Sequence, residues 1–431
     1  MYRKEPISST GYINVFQKIC ILSVWLFVIY AYIIQYKYIE IRNGMLLFGV
    51  PVLVTFVLSI NGKELNLEAL FSKECVLTLV FMAYMFIIGF IVSPNLSSHL
   101  SQWLNSIEYF LVMMVIVSIL GETGSDTFIF LILFTALGLG IILFRSPVEY
   151  VYGRYSISRE VNPNGLGVTF VAGIWSALFL QQKKKLPLLL SFGILALLGY
   201  CIIQTGSRKS MLAALFVLAS WLLISFLSNL KRNNALFNII FFAAMLVLLY
   251  VLDVLFLNQY VGSTMEWRMG TLEDEATGGL RYQYYVLGWQ LLKDNLLLGL
   301  GFTGFQFYYG AYSHATFIEV PVSGGMLGSI LYFSTYLISL IKCIRIINAV
   351  KNREDFIEEY AEIKMILVLW GVLLFLCTCI IHPYQLLSAI LFGIVFGKTV
   401  YLERQINSKE SNIGELRLKN INHGHSKYIK N

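Results

Sequence analysis

Charge is scarce in this chain of 431 residues: 32 Lys and Arg with 25 Asp and Glu make up 13% of it, against 57% hydrophobic residues. Soluble globules carry about 25% charged residues, so that class is excluded. Mean hydropathy is +0.70. The strict alternation of a membrane β-barrel strand is also missing, because apolar residues run on for roughly 18 or more positions at a time, the length of a membrane-crossing helix. Cysteine is thin. Cys20, Cys75, Cys201, Cys343, Cys377 and Cys379 lie in or beside apolar runs, with neither a disulfide framework nor metal-ligand spacing. Cys377 and Cys379 fall on different faces of one helix. The first apolar run, near Ile19 to Ile34, has no small-residue cleavage site, so it is expected to remain as a helix.

What is present is an all-α polytopic membrane protein. Twelve spans are expected, at 16–36, 45–60, 75–92, 100–120, 127–144, 165–180, 186–204, 211–229, 235–257, 326–342, 364–381 and 385–402. They form one transmembrane domain, 1–403. Two outer loops are long, 145–165 and 258–325, and a basic cytoplasmic tail, 404–431, is expected to be disordered. Within the second loop, RYQYYVLGWQLLKDN reads as an interfacial amphipathic helix anchored by Trp289, so the loop is expected to be a structured cap.

Basic residues set the orientation. With both termini inside, twenty-two of the thirty-two Lys and Arg fall on the inner side. The ten outside are Lys37, Arg42, Arg145, Arg154, Arg159, Arg208, Lys209, Arg268, Arg281 and Lys293; seven of these are arginine, against six of the inner twenty-two. Lysine anchors topology as well as arginine does. The outer excess of arginine therefore points to an anionic ligand that uses the planar, bidentate guanidinium. Snorkelling to lipid phosphates is the alternative for each one.

Several motifs narrow the reading. NPNGLG, Asn162 to Gly167, opens a helix on the outer side, and GRYSISRE just upstream puts Arg154 and Arg159 beside that N-terminus. TGSRKS, Thr205 to Ser210, is a short outer turn that holds Arg208 at the hydrocarbon edge. GLGFTG, Gly299 to Gly304, has G-x-G-x-x-G spacing but no β-α-β context, so its glycines read as close-packed backbone rather than a dinucleotide site. LEDEA, Leu272 to Ala276, reads as a solvated acidic loop. Among five histidines, His423 and His425 sit in the tail, His99 in a small polar outer loop and His382 in a short outer turn before Pro383. His314 stands apart, in an aromatic and partly buried setting at the end of the large loop. Glu319 follows five residues later, about 140° around if the stretch is helical. The only other intramembrane acids are Glu108 and Asp253.

Taken in order, GRYSIS with NPNGLG, TGSRKS, GGLRY, and GLGFTGF leading into SHATFIEVPVSGGMLG resemble the O-antigen ligase and polymerase superfamily (Wzy-type) over residues 145–332. The resemblance implies a GT-C-like, metal-independent glycosyltransferase that works without a cofactor at the outer leaflet. Its substrates would be undecaprenyl-diphosphate-linked oligosaccharides, as donor and acceptor, within membrane lipid. Arg154, Arg208 and Arg281 would bind the diphosphate. Arg154 stands eight residues before Asn162, one more than the family spacing, so Arg159 is the alternative to it. His314 would serve as base or orienting group for the acceptor hydroxyl, with Glu319 beside it as the second candidate catalytic group.

The chemistry fits this inventory. Displacing a diphosphate from an anomeric carbon loads negative charge onto the leaving group, and fixed arginines can carry that charge in place of a divalent ion. The attacking hydroxyl must lose a proton, and imidazole is matched to neutral pH. The expected function is polymerisation of lipid-linked repeat units at the outer face of a bacterial cytoplasmic membrane. A ligase with the same donor, and a flippase for the same lipid, are the rival readings. A chain-length regulator and a flippase are expected partners; nucleic acid is not.

Overall fold

The computed structural model describes residues 15–34, 44–61, 67–151, 154–230, 243, 279–351 and 353–428. Helix dominates, as continuous apolar runs demand in a solvent that cannot bond free backbone groups. The first half comprises α1 (Val15–Ile29, prolonged by a π-helical turn, Tyr30–Ile34), α2 (Gly44–Asn61), α3 (Lys73–Val92), α4 (Leu96–Thr123) and α5 (Thr127–Arg145). A two-stranded antiparallel hairpin, β1 (Val148–Val151) and β2 (Arg154–Ser156), follows within the loop 145–165. Then come α6 (Pro163–Gln182), α7 (Leu188–Thr205) and α8 (Arg208–Leu230). Further along the chain lie α9 (Leu280–Asp294), α10 (Gly304–Tyr309), α11 (Thr316–Val350), α12 (Ile357–Leu376) and α13 (Leu386–Tyr428).

Nine of the described helices are long and apolar enough to cross a membrane. The chain is thus a helical polytopic membrane protein. α2 adds a shorter apolar stretch, and α12, whose first turns carry Glu358, Glu359 and Glu362, is a 20-residue helix whose sequence turns apolar only further along. The expected span at 235–257, the loop part 258–278 and LEDEA lie outside the described residues. The central helix is α6, with nearly every residue from Leu166 to Leu180 buried against α5, α7, α8 and α12. α13 packs along α4, and α11 along α3.

One end of the bundle is tied by buried charge. Lys398 Nζ lies 2.5 Å from Asp126 and 2.8 Å from Glu362, and Lys183 reaches the same two acids at 3.2 and 2.9 Å. Lys185 adds a contact of 2.6 Å to Asp126. These residues come from connections and helix ends that the charge count assigns to a single side. Burial, the largest influence on Asp126, pushes its carboxyl up, but Lys398 and Lys183 with the Lys185 hydrogen bond outweigh it and hold it well below the usual carboxylate range.

The tail departs from expectation. Residues 404–428 continue α13 as helix, where disorder was expected from charge and composition. Ion pairs to the body supply part of the reason: Arg404 pairs with Glu68 at 3.0 Å, Lys409 with Glu359 at 2.6 Å, and Arg353 with Glu410 at 2.6 Å. The helix also opens with an apolar stretch, so the charged part adds to an existing helix without the cost of nucleation.

α11 is broken. Gly325, at φ 61° and ψ −162°, separates Thr316–Gly324 from the longer remainder. A Cβ there would collide with the Leu297 carbonyl. The GLG segment repairs the break: Leu300 and Gly301 donate to the carbonyls of Val322 and Ser323, each at 2.8 Å, and Met326 donates to Leu296 at 2.8 Å. Gly299 and Gly301 hold positive φ, 73° and 74°, to bring the two backbones together. This is the close-packed role expected of GLGFTG. His99 supports the same loop. It is buried in the first turn of α4, not in a polar outer loop as expected, and its Nδ1 accepts from the Phe302 amide at 2.8 Å while the ring stacks on Phe302.

Candidate functional site

At the end opposite the lysine–carboxylate cluster, the last residues of α12 unwind into Cys377–Ile381, and their carbonyls become a hub. The Thr316 amide, first of α11, donates to Cys377 at 2.8 Å and to Ile380 at 2.9 Å. Its hydroxyl donates to Ile380 at 2.6 Å and accepts from the His382 amide at 3.0 Å. Lys209, second residue of α8, donates to Cys379 at 2.6 Å. From α9, the Tyr285 hydroxyl donates to Thr378 at 2.8 Å. Free carbonyls at a helix C-terminus require donors, and three separate elements provide them.

Three of the expected site residues lie along the chain beside the donors of this hub: Arg208 next to Lys209, Arg281 one turn before Tyr285, and His314 two residues before Thr316. Arg208 begins α8, next to Lys209, and is half-buried. Arg154 sits on β2. Its Nε donates to the Thr205 carbonyl at 2.9 Å and its Nη2 to Asn164 Oδ1 at 2.9 Å, so it clamps the turn bearing Arg208 to the start of α6. A side chain at Gly206 would meet the Arg154 stem. That N-terminus is capped as its sequence demands, with Asn162 accepting from the Asn164 amide at 2.9 Å and Pro163 in the first turn. Arg281 lies in α9, one turn before Tyr285. Arg159 is exposed on the loop beyond the hairpin, next to Glu160.

His314 lies just before α11 at φ 61°, a left-handed conformation that is uncommon outside glycine. It is exposed, not partly buried as expected, and its ring lies 6.3 Å from that of Tyr284 on α9. Glu319 is the reverse, fully buried. Its carboxylate accepts from the Ser313 amide at 3.1 Å and the Ser313 hydroxyl at 2.6 Å, and from Tyr384 at 3.4 Å. The two expected partners therefore do different work. Glu319 grips the residue before His314 from beneath, through the Ser313 amide and hydroxyl.

Sequence reasoning missed His382 and Tyr384, which sit on the short turn between α12 and α13. His382 is buried, with Nδ1 2.6 Å from the Tyr336 hydroxyl. Burial, with the Lys209 cation as a second cause, lowers its pKa to about 3, so it is neutral at physiological pH. Tyr384 is half-buried, with Phe302, Tyr312 and Glu319 around it; burial first, then the Glu319 charge, push its phenol well above the ordinary value. A lone histidine before proline carries no signal of burial, because the helices that cover it are far away in sequence. Lys209 was counted in the outer basic set, but the argument for arginine passed over it.

A cavity opens on the other side of His382, between α3, α4, α11 and α13, lined mainly by aromatic and aliphatic side chains. His314 is not among the residues lining it. No family model matches the chain, and no curated protein matches it. The fold defines a multi-pass helical membrane protein with a basic, aromatic hub at one end of its bundle.

Proposed function

We propose that the chain is a glycosyltransferase that polymerises lipid-linked repeat units, with the hub around Cys377–Ile381 as its active centre. The single observation that carries this reading is that Lys209, next to Arg208, Tyr285, one turn after Arg281, and Thr316, two residues after His314, all donate to the carbonyls of Cys377–Ile380, while Arg154 holds the Thr205 carbonyl just before Arg208. In this reading the site faces outward, both termini are cytoplasmic, and the membrane is a bacterial plasma membrane.

The acceptor hydroxyl attacks the anomeric carbon of the donor, a new glycosidic C–O bond forms, and the C–O bond to the polyprenyl diphosphate breaks. The electron pair leaves with the diphosphate, where Arg208, Lys209 and Arg281 meet the added charge. His314 takes the hydroxyl proton. Its exposure suits a sugar arriving from water, and its fixed backbone keeps the imidazole in one place. Arg154 acts by fixing the turn that carries Arg208.

The test is incubation of purified protein with a lipid-linked repeat unit in the presence of a chelator. A ladder of products supports the proposal. A single transfer to a different acceptor makes the protein a ligase, and no transfer at all, with movement of the lipid across vesicles, makes it a transporter.

A further inference from the structure

The cavity under His382 is built differently from the hub above it. It opens to the surface, and its enclosed part measures about 60 Å³. Among the described residues, no Lys, Arg, Asp or Glu lines it. The hydroxyls of Thr78 and Thr335 are already committed to the carbonyls of Glu74 and Tyr332 on their own helices, at 2.8 and 2.6 Å. The imidazole of His382 is different. Its Nδ1 edge is held by Tyr336, while Nε2 is buried and has no hydrogen-bond partner among the described residues. A buried orphan nitrogen is costly because it has lost its water without a replacement, and a bound group that answers it recovers that cost.

From this we propose that the cavity is a binding site for an uncharged long-chain lipid alcohol, its hydroxyl on His382 Nε2 and its chain along Phe81, Met82 and Phe392. Three observations select that chemistry. The apolar lining takes a hydrocarbon chain. The absence of any Lys or Arg from the described lining disfavours a phosphate head. A hydroxyl both donates and accepts, so it satisfies Nε2 whichever tautomer Tyr336 imposes on the ring. A carbonyl answers only one of the two, and an amine arrives charged. The site is independent of glycan transfer, since occupancy needs no reaction.

The experiment uses the full chain in nanodiscs of zwitterionic phospholipid, with a sixteen-carbon alcohol bearing a diazirine near its hydroxyl as the probe. Labelling is expected on the peptides containing Phe81–Met82 and Phe392, with competition by the unlabelled alcohol. His382→Phe is expected to reduce labelling about tenfold, the loss of one hydrogen bond to a buried nitrogen. Ala389→Trp, which fills the cavity while leaving His382 in place, is expected to abolish it. Thermal unfolding of both variants checks that each is folded, and either one alone suffices if the other is not. The proposal is overturned by equal labelling from the matching alkane, by stronger labelling from the phosphate ester, by labelling that survives Ala389→Trp, or by none in the unmodified protein.

Discussion

Lys209 Nζ lies 2.6 Å from the main-chain oxygen of Cys379, so the start of α8 and the end of α12 share one charged hydrogen bond. A bond of this kind contributes about 1.5–3 kcal/mol. Lys209→Met is expected to lower the thermal midpoint and to shorten the product ladder, and Lys209→Arg to restore most of both. If the methionine variant kept its full ladder, the link would have no functional part.

Arg154 spends its fork on two partners, Thr205 and Asn164. Lysine can reach one of them but not both, because its ammonium is a single point. Arg154→Lys is expected to cost about 1–2 kcal/mol of stability, within the range for a lost charged hydrogen bond, and to weaken donor binding because the Arg208 turn loosens. Thermal unfolding and the donor concentration dependence of transfer measure the two effects separately. A weaker donor dependence with an unchanged midpoint would place Arg154 on the ligand itself.

His314 and Glu319 are expected to separate cleanly. His314→Ala removes an exposed side chain and should abolish transfer while shifting stability by no more than about 0.5 kcal/mol, the usual range at a surface site. Glu319→Ala leaves Ser313 and Tyr384 without their buried acceptor and should destabilise the fold by about 1–3 kcal/mol. Glu319→Gln keeps an acceptor oxygen and is expected to retain transfer. Loss of transfer in the glutamine variant with stability intact would mean that the carboxylate itself takes part in the chemistry.

Asp126 is surrounded by Lys398, Lys183 and Lys185. Asp126→Asn leaves buried ammonium groups short of a counter-charge and is expected to cost about 3–5 kcal/mol. The pH sign follows from the direction of the shift. The folded carboxyl titrates below its unfolded counterpart near pH 4, so its stabilisation is present above about pH 4 and is lost as pH falls toward the folded value. Acid unfolding followed by tryptophan fluorescence should show the wild-type midpoint falling steeply below that pH, and the asparagine variant should show a flatter profile. Equal slopes would mean that the cluster carries no such linkage.

Most helices were legible because a long apolar run has one low-energy form in lipid. Helix starts were legible too: Asn162 and Pro163 cap α6 as their types require. The end of α13 was not, since charge alone does not reveal that Glu359, Glu68 and Arg353 wait beside it. The site was half legible. Glycines and arginines mark turns at a membrane edge, so Arg154 and Arg208 stood out. Burial is a property of the assembled helices, and it reversed the expected settings of His314 and His99. Lys209 was hidden because its partner is a backbone carbonyl, which any residue supplies.

α13 has a mechanical side. Its 43 residues form one rod, about 65 Å long at 1.5 Å per residue, roughly twice the hydrocarbon thickness of a bilayer. The rod begins two residues after Tyr384, whose hydroxyl reaches Glu319. Anything that grasped its far portion would hold a lever whose other arm rests against the turn beneath His314.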